Sequence, residues 1–541
     1  MIKIITQVLQ LFRGVFMRAG IDFERMLAIV TIKLTVDNRI DRSGRNKNTS
    51  NALTRQGILL GICGPIFFVF GMAAGSLEVP LLLFHSYLLL MLMMSFMMEY
   101  SRVLFNGNDN HIMQHLPIAS KTILAARLTT MLSYMFFLSG CMSVIPAVII
   151  IFWKGLVTGG FFIISVFLNT IFTLLFANAI YLGVMRFISV EKFLRVMSYA
   201  QVVLVAGVAL SYQLVGMVTR NLQIDMFHPE TWMYFTPSCY FMALTTMVKQ
   251  PTMPALLLAS LGVIGVILFG FVTVTYLAPY FSVKMGMLDE YAATTKTRKK
   301  GKDRWLYILA RVFARSPLQV SGFVLGWRLT RDNLKFRQGI LPMIIYTAFM
   351  AIFFIYQESR DGSIGVGFYM PLYMTSMIGI GILMHMSIME KGDLLWLYHS
   401  KPLARPGALI LGSYKALYVK YFLPVYGILS VIFIVRRPWE IIVPDLLMIL
   451  AVSTLMSYIY LWFSGMLFPF SKEKSTMDSG RNIVRIIVLV VMLFVIGGLH
   501  ALVMRLSWYG IWAAIAGILL VLFLMEYVIC RVSWKKVISN Y

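Results

Sequence analysis

Acidic residues are scarce in this chain. Asp and Glu number 23 among 541 residues, against 48 Lys and Arg, so the formal net charge is +25. Only 13% of residues are charged and 59% are hydrophobic; soluble domains carry about 25% charged residues. With a mean hydropathy of +0.79, the chain cannot cover its apolar surface with polar groups, which excludes a soluble globular fold. Cysteine is equally sparse. Cys63, Cys141, Cys239 and Cys530 stand at unrelated spacings, so no disulfide framework and no metal site is expected, and all four read as packing residues. No G-x-x-x-x-G-K-[ST] run occurs, so no backbone cradle for ATP phosphates is present and no cofactor is expected on this chain. The first thirty residues carry Lys3, Arg13, Arg18 and Arg25 without an apolar core, so no cleavable signal peptide is expected.

What is abundant is the long apolar run. A spanning helix needs about 20 such residues. Twelve candidates lie near 57–78, 80–100, 128–152, 160–185, 197–219, 255–280, 339–357, 366–389, 415–435, 444–468, 483–504 and 511–530. Forty of the 48 cations fall in 1–56, 101–127, 186–196, 281–338, 390–416, 470–485 and 531–541. With twelve spans these segments all share one side, and the positive-inside rule makes it the cytoplasm, with both termini inside. The basic run "KTRKKGKDR" (296–304) joins two membrane halves, which argues against nucleic acid as a partner and for attraction to anionic membrane lipids.

The chain repeats itself. "IKLTVDN" (32–38) answers "WRLTRDN" (327–333), "VFMR" (15–18) answers "VFAR" (312–315), and "RQGIL" occurs at 55–59 and 337–341. The matches keep their order at nearly constant offset, which predicts two tandem copies of a six-span unit. The predicted fold is an all-α polytopic membrane protein of about twelve transmembrane helices in two parallel six-helix repeats. The predicted divisions are a first half at 1–280, a basic cytoplasmic linker at 281–320 and a second half at 321–541. Each repeated word mixes apolar residues with charge (Lys33, Asp37 and Asn38; Arg328, Asp332 and Asn333) and is too short to span. Each predicts an amphipathic interfacial helix, apolar side in the acyl boundary, with Asp-Asn suited to a cap or turn.

After the second span of each copy comes a loop of related pattern, "EYSRVLFNGNDNHIMQHLPIASKTILAARL" (99–128) and "MEKGDLLWLYHSKPLARPGALILGSYKAL" (389–417). These loops resemble the first cytoplasmic loop of ABC exporter permeases of the type-2 class. In that family an acidic residue, a Gly-Asp or Gly-Thr helix start, Leu-x-x-x-Pro and a later lysine form the surface that docks on the ATPase. The second loop carries the fuller match: Glu390, Gly392, Asp393, Leu397, Pro402 and Lys415. The first is longer between Glu99 and Asp109 and has Arg127 near the lysine position. The resemblance implies docking by Asp109, His115, Pro117 and Lys121 in one half and by Glu390, Asp393, Pro402 and Arg405 in the other. It also implies two copies of an ABC ATPase subunit that binds ATP, an amphipathic cargo, and the plasma membrane of a bacterium. This chain would then be a transport subunit and not itself an enzyme.

Ionisable groups inside spans are costly and often functional. The candidates are His85, His385, His500 and Glu526; His85 and His500 lie in the outer thirds of their spans, within reach of water, and Glu526 lies within reach of Arg531, so these groups read as satisfied or interfacial polar residues, with a proton relay as the rival. The external segment 220–254, with Pro229 and Pro237, reads either as a re-entrant helix or as an anchored loop. A proton- or sodium-coupled secondary transporter is the alternative function; it requires broken helices and buried carboxylates, and the sequence displays almost none. An enzyme acting on lipid-linked substrates needs carboxylates in external loops, where only scattered acids such as Glu78, Glu230 and Glu440 occur.

Overall fold

The computed structural model describes residues 2–39, 52–105, 118–207, 229–275, 304–361, 369–389, 398–473, 497–500, 508–534 and 537, apart from scattered positions within these ranges. The chain divides into two compact units, Met1–Asp41 with Lys47–Thr297, and Arg42–Asn46 with Arg298–Tyr541. Both are helical. Among the described residues the one exception is a two-residue parallel pair, β1 (Ile388–Met389) with β2 (Lys472–Glu473).

The first unit opens with three short helices, α1 (Ile2–Leu11), α2 (Arg13–Arg18) and α3 (Phe23–Arg39). Long helices α4 (Ala52–Met72), α5 (Glu78–Phe105), α6 (Ser120–Lys154) and α7 (Leu156–Phe187) follow, then α8 (Pro237–Thr246) and α9 (Met253–Val272). Gly155 alone joins α6 to α7, at φ 99°, a conformation that side chains rarely tolerate and glycine adopts freely. Thr252 caps α9 by accepting from the Ala255 N–H at 3.3 Å, with Pro254 in the first turn where its missing N–H costs nothing. Within segment 220–254, α8 packs among α5, α7 and α9, with Cys239, Phe241, Met242 and Thr245 buried, while Phe235 and Lys249 on either side of it are exposed.

The second unit begins with α10 (Arg304–Phe313) and α11 (Pro317–Asp332), followed by α12 (Leu334–Asp361), α13 (Met370–Met374), α14 (Ser376–Met386), α15 (Pro406–Leu417), α16 (Leu423–Arg436), α17 (Trp439–Ser464) and α18 (Trp508–Cys530). Residues 304–320, expected as linker, are thus mostly helical. Ser316 caps α11 through the Gln319 N–H at 3.2 Å. Thr375 and Ser376 turn their hydroxyls onto the carbonyls of Leu372 and Tyr373 at 2.6 Å, and there α13 ends and α14 begins. Such back-bonding competes with the helical ladder. A five-residue π turn, Tyr418–Phe422, links α15 to α16.

Eight helices among the described residues are long and apolar enough to cross a membrane. They fall on the expected runs. The runs at 57–78 and 366–389 yield shorter apolar helices, Leu60–Met72 and Leu372–Met386. The runs at 197–219 and 483–504 extend beyond the described residues. At about 1.5 Å per residue, the 35 residues of α6 outrun a hydrocarbon core of about 30 Å, so one end of this helix projects from the bilayer.

The two units share a set of helix neighbours. In the first, α4 packs on α5, α5 on α7 and α7 on α9; in the second, α12 packs on α14, α14 on α17 and α17 on α18. Each unit also lays a leading helix over the start of its third long helix. Phe23, Met26, Val30 and Leu34 of α3 cluster with Ala126, and Leu306, Ala310, Phe323 and Val324 of α10 and α11 cluster with Ala416. Leu34 and Val324 therefore face protein, and Ile32 is exposed. Ile29, Trp327 and Leu329 are half-buried, so the apolar side of these helices is shared between the protein and its surroundings.

Candidate functional site

The loop that the family resemblance singles out in the second half leads directly into α15, and α15 is held on two sides. On one side lies α11. A Cβ on Gly322 would collide with the Leu409 carbonyl, and one on Gly412 with the Gln319 carbonyl; one on Gly326 would sit 2.9 Å from the Ser413 Cα. The two backbones thus touch, as small residues allow between helices in membranes, and the Ser413 hydroxyl donates to the Gly322 carbonyl at 2.9 Å. On the other side lies α18. Lys415 Nζ pairs with Glu526 Oε1 at 2.6 Å and donates to the Phe313 carbonyl at 3.0 Å, which closes the end of α10. Arg315 Nη–Cζ–Nε reaches the same carboxylate oxygen through Nε at 3.9 Å, and Gln319 Nε2 donates to Cys530 Sγ at 2.8 Å. Trp534 Nε1 donates to the Leu403 carbonyl at 2.6 Å, tying the loop's last residues to the end of the chain. Glu526 is thus partnered by Lys415 and Arg315, not by the nearby Arg531, whose guanidinium lies 4.1 Å from the Tyr527 ring.

The repeated word has a definite task in the second unit. Thr330 is buried and accepts from Lys420 Nζ at 2.9 Å. Asn333 accepts the Phe336 N–H at 2.9 Å, capping α12, and donates to the Ile388 carbonyl at 3.1 Å. It therefore fixes the junction of α11 and α12 to β1, immediately ahead of the candidate docking loop. Arg328 is exposed, its guanidinium 5.9 Å from the Tyr307 ring. In the first unit α3 runs on through Asp37 and Asn38 to Arg39; their side chains, like that of Asp332, lie outside the description, and Lys33 is half-buried. Arg405 is exposed at the N-cap of α15, and Lys121 is in the first turn of α6. Asp109, His115, Pro117, Glu390, Asp393 and Pro402 lie outside the described residues.

A second constellation is buried in each unit, in the layer where the second and fourth long helices meet. In the first unit His85 Nε2 lies 3.1 Å from Ser165 Oγ, and Asn169 Nδ2 lies 3.3 Å from His85 Nδ1. Thr245 of α8 donates to Ser165 at 3.1 Å. In the second unit the Tyr369 hydroxyl donates to Asp445 Oδ2 at 2.6 Å, His500 Nε2 lies 3.3 Å from Asp445 Oδ1, and Tyr373 Oη lies 2.8 Å from His500 Nδ1. Asp445 is wholly buried and His500 is 1% exposed. Each histidine is enclosed, because neighbouring helices supply hydrogen-bond partners that water would otherwise provide.

No protein-family model, curated protein or solved structure matches this chain. What the site can do therefore rests on its own geometry. Sequence reasoning missed Asp445, which stands in an apolar run beside Pro444, and the two tyrosines at 369 and 373, four residues apart and so on one helical face. The buried carboxylate of Asp445 also departs from the expectation that buried acids are nearly absent. Among the described residues no three His, Cys, Asp or Glu side chains gather as a metal site would need. Cys141, Cys239 and Cys530 are free thiols, and burial pushes the Cys239 thiol up to about 12, in keeping with a packing role.

Proposed function

We propose that the chain is the transmembrane permease subunit of an ABC exporter in the plasma membrane of a bacterium. In this reading it has twelve spans in two parallel six-span halves, both termini are cytoplasmic, and each half is preceded by an interfacial helix. Separate ATPase subunits, two copies, bind ATP and dock on the loops around Asp109–Lys121 and Glu390–Arg405. The cargo is amphipathic, peptide or lipid-like, since few charges line the spans.

The observation that carries this reading is the clamp on α15. A docking loop is useful only if its displacement is transmitted, and a helix packed backbone to backbone on α11 and ion-paired to α18 moves with them as one body. The family lysine then has an internal role in this chain: Lys415 joins the loop's helix to α18 and α10 and does not face an ATPase. Closing of ATPases on ATP would move α15, α11 and α18 together, and a lever of this kind is how lids and bundles are commonly driven.

The test is deletion of 398–404, or Arg405→Glu, in cells that also produce the cognate ATPase. Transport and ATPase co-purification should be lost while the chain remains inserted in the membrane; the equivalent change around Pro117 should weaken both. Stable protein with full transport and normal ATPase binding after both loops are altered refutes the proposal.

One observation favours a second reading. A buried carboxylate–imidazole pair, Asp445–His500, is what a proton-coupled secondary transporter needs. In that case transport would follow an imposed pH gradient without ATP.

A further inference from the structure

The Tyr369–Asp445–His500–Tyr373 cluster belongs to neither the loop nor the clamp. It lies near the start of α13 and α17, at the end of these helices away from β1 and the candidate docking loop. The positive-inside reading puts that end outside.

We propose that this cluster is a proton-binding site, with the Asp445–His500 pair as its receptor. The size of the ligand follows from the enclosure. Asp445 is fully buried and His500 nearly so, and both carboxylate oxygens and both ring nitrogens already lie within 3.3 Å of a partner. Among the described residues every polar atom of the pair is already engaged, which leaves none to hold an organic cation. One carboxylate and one imidazole are also too few ligands for a resident transition metal, which takes three or four strong donors. A proton needs no cavity. It needs a chain of groups that can each give and take a hydrogen, and carboxylate, imidazole and phenol are such groups.

The exchange balances as follows. With one proton on His500, Nε2–H donates to Asp445 and Nδ1 accepts from the Tyr373 hydroxyl, so the cluster carries one negative charge. A second proton binds at Nδ1 and the cluster becomes neutral. Nδ1–H then donates to the Tyr373 oxygen, and the Tyr373 hydrogen must rotate to a new acceptor. Proton arrival thus reverses one hydrogen bond and redirects the Tyr373 hydroxyl hydrogen to a new acceptor.

The other groups facing the pair are accounted for. From α13 these are Tyr369, whose hydroxyl holds Asp445 Oδ2, and Tyr373. From α16 it is Tyr426, whose hydroxyl donates to the Leu446 carbonyl at 2.6 Å. Glu440, one turn before Asp445 on α17, is exposed. Among the described residues the ion-pair partner of Asp445 is His500. The matching layer of the first unit provides a reference, with Ser165, Asn169 and Thr245 around His85 and, among the described residues, no carboxylate bonded to it.

The site is independent of what drives transport, so its test uses the full chain alone in lipid nanodiscs. Histidine side chains labelled with ¹⁵N are followed by magnetic resonance from pH 4 to pH 9, and the His500 signal is assigned by its loss in His500→Gln. The expected result is that His500 titrates within this range. Asp445→Asn should lower its proton affinity at least tenfold, because the neighbouring negative charge that favours the protonated ring is gone. Tyr373→Phe should shift it less, since the charge remains, and His85→Gln should leave it unchanged. If His500→Gln does not fold, the signal that Asp445→Asn moves and His85→Gln spares makes the same assignment. A His500 signal constant over the range, or equal titration with and without the Asp445 carboxylate, overturns the proposal and leaves the cluster a structural staple.

Discussion

Removal of the Lys415 ammonium should destabilise the second unit less than removal of the Glu526 carboxylate, although the two groups form one ion pair. Their side chains are only 14% and 12% exposed and meet at 2.6 Å. Stripping one partner from a buried pair costs about 3–5 kcal/mol, chiefly because the other charge is left uncompensated. Here the two remainders differ. After Lys415→Met, Glu526 still has Arg315 at 3.9 Å, which points to a cost of about 2 kcal/mol, below the usual range. After Glu526→Leu, Lys415 keeps only the Phe313 carbonyl at 3.0 Å, and a cost of about 3 kcal/mol is expected. The double variant removes both charges and leaves mainly that carbonyl without its donor, for about 2 kcal/mol. Singles totalling about 5 and a double near 2 give a coupling energy of about 3 kcal/mol. The assay is unfolding of the full chain in mixed micelles, wild type and three variants, followed by a probe on α15. A double variant as destabilised as the two singles combined would mean that the side chains do not interact, and the clamp on α15 would lose its electrostatic half.

Gly322→Val should cost at least about 1–3 kcal/mol in the same assay, since overpacking forces backbones apart, whereas substitution at Gly427, which faces open space, should be far milder. Asn333→Ala should cost about 1–2 kcal/mol through loss of the α12 cap and the bond to Ile388, and Asn333→Asp should recover the cap alone. Cys239 should resist a maleimide at pH 8 in the folded chain and react after denaturation, because the thiolate is the reactive form and a thiol held near 12 leaves about one part in ten thousand ionised at that pH; rapid labelling of the folded chain would contradict its burial. For sidedness, in a cysteine-free background, a cysteine at residue 300 should be protected from an impermeant thiol reagent in intact cells and one at 249 should label, while one at 245 should not, since Thr245 is buried; labelling at 300 would contradict the two-copy topology.

Much of this architecture is legible in the sequence because apolar runs are local. Each of the eight long helices lies on a run that length and hydropathy pick out, and Asp-Asn before an apolar run announces the cap that Asn333 makes. What is illegible depends on partners far away along the chain. Asp445 reads as one acid near a helix start until Tyr369, 76 residues earlier, and His500, 55 residues later, are seen around it. Lys415 reads as a surface lysine until Glu526, 111 residues later, is seen to meet it. Segment 304–313 reads as linker because of its basic neighbours; only the burial of Leu306 and Ala310 against α11 and α15 reveals a packed helix.

The most direct test of the exporter reading is the mass of the intact complex. The chain is co-expressed with an ABC ATPase subunit from the same genome, purified in mild detergent and measured by native mass spectrometry, with ATP hydrolysis assayed on the same sample. The account predicts one copy of this chain with two ATPase subunits, and hydrolysis that is absent from the chain alone. Two copies of this chain per complex would contradict the fused halves, and a chain that transports its cargo with no ATPase bound would contradict the exporter itself.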